Sequence, residues 1–267
     1  MILDLTNEAY HARPEISSSD VKAVALKSLL HWKNMVYKSS PTFDLGTAVH
    51  TMLLEPEKDL VIRGPEDRRG NKWKELKLAA DIDGKTLLTE SDFDLAQAMA
   101  AAVFAHPVAK MWLQADDLVA EGSFFADDPQ TGVKLKCRPD GYLPEVGIMF
   151  DIKTTQDASP NGFPRDVRKY GYDLQAQFYR KVMKLHGAGD LEFYFICVEK
   201  EYPHAVCVHN LAEDYLAAAD LKVTETLHRI FNAEASQDYE TGWPLCNEIG
   251  LPRWQNERPE EDVFTDF

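Results

Sequence analysis

The sequence predicts an α/β fold, a central sheet built from short apolar runs with amphipathic helices packed on it. Three observations carry that expectation. Apolar runs on either side of a turn signal, Pro144-Glu145-Val146-Gly147, predict two adjacent antiparallel strands. Segments 191–198 and 205–211, rich in aromatic and β-branched residues, predict a second antiparallel pair. Between and beyond them, 172–185 and 212–234 carry helical patterns.

With 267 residues the chain can bury a full core, and α/β domains of this size are ordinary. One domain is expected over 1–235, helical in 15–115 and carrying the sheet in 116–235, followed by an irregular acidic tail, 236–267. A hydrophobic content of 45% excludes a disordered chain. The longest apolar stretch, 96–105, is too short to span a bilayer, and Met1-Ile2-Leu3-Asp4-Leu5 lacks a basic leader. Neither a membrane span nor a signal peptide is expected. Cys137, Cys197, Cys207 and Cys246 form no C-x-x-C pair, which predicts reduced thiols in a cytoplasmic protein.

Taken in order, Ser17-Ser18-Ser19-Asp20 starts a helix running to about Tyr37 and closed by Ser39-Ser40-Pro41. A second helix begins near Asp44 and ends before Pro56; Gly46 and His50 share one of its faces. Residues 63–77 mix loop formers with six basic side chains and Trp73. This stretch is either a solvated loop or a grip on a nucleic-acid end through Arg63, Arg68, Arg69 or Lys72. A turn at 81–85 leads to a strand at 87–89 and a helix from Ser91 to Ala105, capped by Ser91 or its neighbour and stopped at His106-Pro107. A short helix follows at 108–113. Residues 120–126 predict a strand that opens the central sheet, 127–132 a turn, and 133–138 the next strand. Past the hairpin, a Ser/Pro/Asn/Gly-rich loop runs to Phe163-Pro164 before the helix over 172–185.

The chemistry concentrates at Arg138-Pro139-Asp140 and Asp151-Ile152-Lys153. In a hairpin Asp140 and Asp151 meet, and Lys153, two residues on, leaves the strand on the same face as Asp151. Two hard carboxylates beside an ammonium suit metal-assisted hydrolysis of a phosphodiester. A lone D-x-K is far more often a surface salt bridge, so the flanking pieces matter. These are Gly46-Thr47-Ala48-Val49-His50, a G-x-x-x-H, and Gln175-Ala176-Gln177-Phe178-Tyr179, a Q-x-x-x-Y.

The four motifs, in this order, resemble the PD-(D/E)XK nucleases of the RecB-type branch. The phrasing over 43–56 and 136–179 is most similar to the exodeoxyribonuclease VIII (RecE-like) domain of phages and prophages. The resemblance covers roughly 15–215. It implies a restriction-endonuclease-like core, a mixed central sheet flanked by helices, in which Asp140, Asp151, His50, Glu121 and the backbone carbonyl of Ile152 hold one or two Mg²⁺ ions, with Mn²⁺ an alternative. Taken alone, His50 is better explained as a core histidine bonded to a carbonyl, and Glu121 as an exposed strand-edge acid. Lys153 would sit at the scissile phosphate, with Gln175, Tyr179 and Arg138 positioning substrate. Some relatives carry an iron–sulfur cluster on four cysteines; the separation of Cys137, Cys197 and Cys207 argues against one here.

The resemblance further implies a double-strand-dependent exonuclease working 5′ to 3′ on DNA ends and leaving 3′ overhangs for a single-strand annealing partner. A homo-oligomeric ring in the cytoplasm of a bacterium or phage-infected host would be its setting. The alternatives are a structure-specific or single-strand nuclease of the same core, and a non-catalytic DNA-end or protein-binding module on a decayed fold. A net charge of −15 argues against nucleic acid unless the cations are grouped. They do group, at 63–77 and at Arg165, Arg168 and Lys169, while acids gather at Glu257, Glu260, Glu261, Asp262 and Asp266.

Overall fold

A computed structural model of the chain describes residues 1–3, 5–36 and 41–250. Thr6 caps α1 (Asn7–Ala12) by accepting from the Ala9 N–H. α2 (Ser18–Leu26) starts on a Ser17–Asp20 capping box. It does not run on as a single helix, because buried Ser28 caps a new one, α3 (Leu29–Lys33), at the His31 N–H. Trp32 Nε1 donates to Asp20 Oδ1 and ties α3 to the start of α2. Tyr37 and Ser39-Ser40 lie outside the described residues, as does the acidic cluster from Glu257 to Asp266.

α4 (Pro41–Leu54) carries Gly46 and His50. A 3-10 turn at Pro56–Lys58 leads to β1 (Val61–Arg63), and a loop then enters α5 (Asn71–Asp83), where loop and turn were expected. The basic residues of 72–77 obscured a run of helix formers, Lys-Trp-Lys-Glu-Leu-Lys-Leu-Ala-Ala, which stops at Gly84 in the left-handed region (φ 65°). β2 (Thr86–Leu88) pairs in parallel with β1. Thr89, two residues before the expected Ser91, caps α6 (Glu90–Ala105), and His106 separates it from α7 (Pro107–Leu113).

The expected strand over 120–126 is broken in two. β3 (Val119–Ala120) ends where Glu121 turns to φ 52°, and β4 (Phe124–Asp127) pairs with β5 (Lys134–Cys137) in a sheet of its own. The central sheet holds β3, then β6 (Gly141–Leu143), β7 (Ile148–Thr155), β8 (Glu192–Glu199) and β9 (Val206–Asn210), in that order. β7 and β8 are parallel and the other pairs antiparallel, so the sheet is mixed. The crossover between β7 and β8 contains α8 (Phe163–Tyr170), which begins where the sequence pattern ends its loop and which that pattern does not announce, and α9 (Tyr172–His186). α10 (Glu213–Ser236) follows, and 237–250 is irregular.

Strand alternation sorts β7 between two cores. Met149 faces a cluster with Val21 of α2, Leu174 and Phe178 of α9, and Val223 of α10. Phe150 and Ile152 face another with Val49 of α4, Met99 of α6 and Trp112 of α7. Each fully buried side chain of this size stabilises by about 1.5–3 kcal/mol. Gly141 stands opposite Phe150, and a Cβ there would lie 2.1 Å from its ring. No helix of the described residues is long and apolar enough to cross a membrane.

Candidate active site

Register places three carboxylates in one row across three strands. The ladders end at Ala120 opposite Gly141 and Gly141 opposite Phe150. One residue further on, Glu121 stands beside Asp140, and Asp140 beside Asp151. The Glu121 N–H donates to the Asp140 carbonyl at 3.1 Å. The buried Asp140 carboxylate is held from below, its Oδ2 accepting from the Ile152 N–H at 2.6 Å.

His50 comes in from α4. Its Nε2 lies 2.9 Å from the Ile152 carbonyl, which can only accept, so Nε2 carries the proton. Nδ1 is thereby aimed at the acids, 3.4 Å from Asp140 Oδ2. Gly46, on the same face of α4, is not required for close approach to the sheet: a Cβ would meet Thr154 Oγ1 at an ordinary 3.8 Å.

Asp151 and Lys153 share a face of β7 and form an ion pair. Gln175 completes the unit. Its Nε2 donates to Asp151 Oδ1 at 2.7 Å, while its Oε1 accepts from Lys153 Nζ at 3.4 Å. Tyr172, one turn earlier on α9, lies under the same ammonium, with Nζ 4.7 Å from the ring centroid.

Electrostatics divide the site in two. Burial, then the neighbouring Asp140, pushes Glu121 up to about 8; burial, then Asp151, pushes Asp140 up to about 6. Burial alone would lower the Lys153 ammonium, but the Asp151 carboxylate overcomes it and holds the group above its usual range. The acids at Glu121 and Asp140 thus crowd one another, whereas Asp151 is already matched by Lys153 and Gln175.

The crowded half fits a cation. One atom each of His50, Glu121 and Asp140 lie within 4.8 Å of one another, an imidazole nitrogen and two hard oxygens. A divalent ion there would offset the charge that raises both carboxyls. Asp151 lies outside this set, beside Asp140 and paired with Lys153, and the Ile152 carbonyl adjoins it as the partner of His50 Nε2.

Other expected residues fall further out. Arg138 donates to Ser123 Oγ and the Leu5 carbonyl and covers the Tyr10 ring, tying the chain start to the sheet. Tyr179 is buried beside Phe193, and burial raises its hydroxyl. In the basic loop, Arg63 pairs with Glu90 (2.8 Å) and Asp94 (3.0 Å) and Arg68 with Asp92, at the start of α6. Arg69 is 96% exposed and meets Asp67 at 3.5 Å. Lys72 is exposed on α5.

Two residues that no motif marked join the lysine half. Lys22 of α2 brings its Nζ to the same Gln175 Oε1, at 3.4 Å, and burial, then Lys153, lowers it to about 8. Tyr172 lies three residues before Gln175, so helical spacing alone put it on that face.

In fold the chain is similar to a crystal structure from Eubacterium rectale, of a protein described provisionally as an exonuclease. The TM-score is 0.63 at 16% identity, covering 94% of this chain and 96% of that one. A phage-related exonuclease from Haemophilus somnus 129PT aligns over 86% of this chain and 99% of its own at 11% identity, with a TM-score of 0.35, too low to show a shared fold. No curated protein matches in sequence. A family model described as "PDDEXK-like domain of unknown function (DUF3799)" matches residues 16–247. The mixed sheet and the PD-(D/E)XK-like core expected from sequence are present, and the chain belongs to this PDDEXK-like family.

Proposed function

We propose that the protein is a divalent-metal-dependent nuclease that hydrolyses DNA phosphodiesters at the site formed by His50, Glu121, Asp140, Asp151 and Lys153. One observation carries the reading: an acid cluster that fits a cation stands directly beside an acid–lysine–glutamine unit that fits a phosphate.

His50, Glu121 and Asp140, bordered by Asp151 and the Ile152 carbonyl, would hold Mg²⁺ or Mn²⁺. When bound, such an ion lowers the pKa of water and stabilises charge developing on phosphate. The chain's own groups do the rest. Ile152 fixes Asp140 through its N–H and His50 through its carbonyl, so one peptide sets two ligands. Gln175 fixes Asp151 and Lys153 relative to each other. Lys153, kept charged, contacts a non-bridging oxygen of the scissile phosphate. A water oxygen bonds to phosphorus as the P–O3′ bond breaks, leaving a 5′-phosphate and a 3′-hydroxyl.

The finer reading, exonucleolytic digestion of duplex DNA from 5′ ends by a ring that hands 3′ overhangs to an annealing protein, rests on the motif resemblance. The description of the Eubacterium rectale protein supports the exonuclease part. The test is a duplex labelled separately at each 5′ and 3′ end, incubated with Mg²⁺ or chelator. Mg²⁺-dependent release of the 5′ label first is expected. Lys153→Ala should lower turnover by several orders of magnitude while retaining DNA binding. Release in chelator, or undiminished turnover in the variant, refutes the mechanism. Cleavage of a circular duplex or preference for a single strand selects the other nuclease readings.

A further inference from the structure

In the basic 63–77 stretch, read from sequence as either a solvated loop or a nucleic-acid grip, Arg63 and Arg68 pair with acids of α6, Arg69 with Asp67 and Lys77 with Asp81, which raises the question of where an acidic protein would hold a polyanion. The structure offers α8. Its Thr155-bonded Asp166 and its buried Phe163 and Val167 face inward, while Arg165, Arg168, Lys169 and Tyr170 are exposed. Asp157 acts on Arg165 and Asp166 on Lys169 from beyond direct ion-pair distance, and among the described residues Arg168 has no carboxylate within that distance. Lys169 Nζ lies 4.8 Å from the centre of the Tyr170 ring.

This exposed face is joined to the site by an unbroken series of contacts. Tyr170 meets Tyr172 with ring centroids 5.6 Å apart. Tyr172 in turn lies under Lys153 at 4.7 Å and near Lys22 at 5.9 Å. Lys22 and Lys153 both point at Gln175 Oε1, so Lys22 sets a second cation beside the Lys153–Asp151 pair, on the side from which a phosphate would approach Lys153. Arginine and lysine beside stacked rings is the composition that tracks a nucleic-acid backbone, with phosphates on the cations and bases or sugars on the rings.

We propose that the DNA strand being cut enters along α8, with Arg168 and Lys169 on outer phosphates, the Tyr170–Tyr172 pair beneath, and Lys22 on the phosphate next to Lys153. The assignment rests on the nuclease reading for which phosphate lies at Lys153, but the surface itself is tested without catalysis.

The full chain is titrated into labelled single-stranded and duplex oligonucleotides in chelator, with anisotropy read between 50 and 200 mM salt. Losing two phosphate contacts should lower the slope of log affinity against log salt by about 1.4 to 1.8, so that the loss of affinity over this range shrinks by about tenfold in R168A/K169A. R68A/R69A should match the parent. Equal slopes for parent and R168A/K169A overturn the proposal, as does an equal fall in both double variants. Binding of poly-glutamate as tight as that of DNA would reassign the face to an acidic peptide and overturn it too. For Lys22, K22Q should raise KM for the oligonucleotide with the melting temperature held, and K22R should restore it; KM unchanged in K22Q removes Lys22 from the path. α8-dependent binding without any Mg²⁺-dependent cleavage would sink the nuclease reading and leave the surface standing, and cleavage with binding indifferent to α8 does the reverse.

Discussion

Replacing Asp140 by Asn removes one charge from the crowded half of the site while changing little else. The side-chain oxygen of Asn still accepts from the Ile152 N–H, so the bond that seats this residue survives. Burial and Asp151 raise the Asp140 carboxyl from its ordinary value to about 6. The folded state therefore holds this proton more tightly than the unfolded chain, and ionising the group costs stability as pH rises from about 4 toward 6. At about 1.4 kcal/mol per pH unit, and with part of the repulsion shared with Glu121, D140N should stabilise the metal-free protein at pH 8 by roughly 1–3 kcal/mol. For a chain of this size that corresponds to roughly 3–10 °C in melting temperature. The assay is thermal unfolding in chelator at pH 8 and at pH 4, where the gain should vanish because the parent is protonated. Adding Mg²⁺ should reverse the order, since a ligand at a hundred times its Kd stabilises the parent by about 2.7 kcal/mol and the variant has lost a ligand. A D140N protein less stable than its parent in chelator at pH 8, or one shifted equally by Mg²⁺, would refute the account of a charge-strained cation site.

Glu121 extends the same logic to higher pH: with its carboxyl at about 8, the metal-free parent should lose stability from pH 5 to 8, and the Mg²⁺-induced rise in melting temperature should grow over that range, as a pH series of melts will show. Q175L should lower kcat by about 10–100-fold with little change in duplex affinity, because it frees both Asp151 and Lys153 from their shared partner; steady-state kinetics and binding in chelator separate the two. G141A should destabilise by about 1–3 kcal/mol or more, since its methyl group would overlap the Phe150 ring, whereas G46A should be tolerated; urea melts compare them.

Hairpin, strand pair and long helices were legible because each is written locally, by a turn signal between apolar runs or by a sustained period. The broken strand was not. Residues 120–126 have the composition of one strand, and what divides them is a left-handed Glu121, a conformation glutamate rarely adopts and no pattern signals. α5 and α8 were missed because lysine and arginine suit both solvated loops and helices, and Gly84 and Gly171, which stop them, are equally good turn residues. The site followed the same division. Asp140, Asp151 and Lys153 are fixed by hairpin register and strand alternation, both readable from spacing. Lys22 lies 131 positions from Lys153, and nothing near it in sequence distinguishes it from any helix-surface lysine; only the packing of α2 on α9 reveals it.

The two half-sites meet because β7 serves both faces of the sheet at once. Its side chains at 151 and 153 turn toward α9 and α2, and its backbone at 152 serves Asp140 through N–H and α4 through C=O. The acid row lies where β3 and β6 end, so Glu121 and Asp140 are freed from the ladder while Asp151 remains inside it with a lysine for a neighbour. Glu121 and Asp140, the two carboxyls freed at the ladder ends, are the pair that burial and neighbouring acids push up, and Asp151 forms its ion pair with Lys153. A cation belongs on the ladder-end side and an anion on the lysine side, with about one strand spacing of roughly 5 Å between them. A phosphate is small enough to touch both sides at once, which is the geometric reason for placing the scissile bond there.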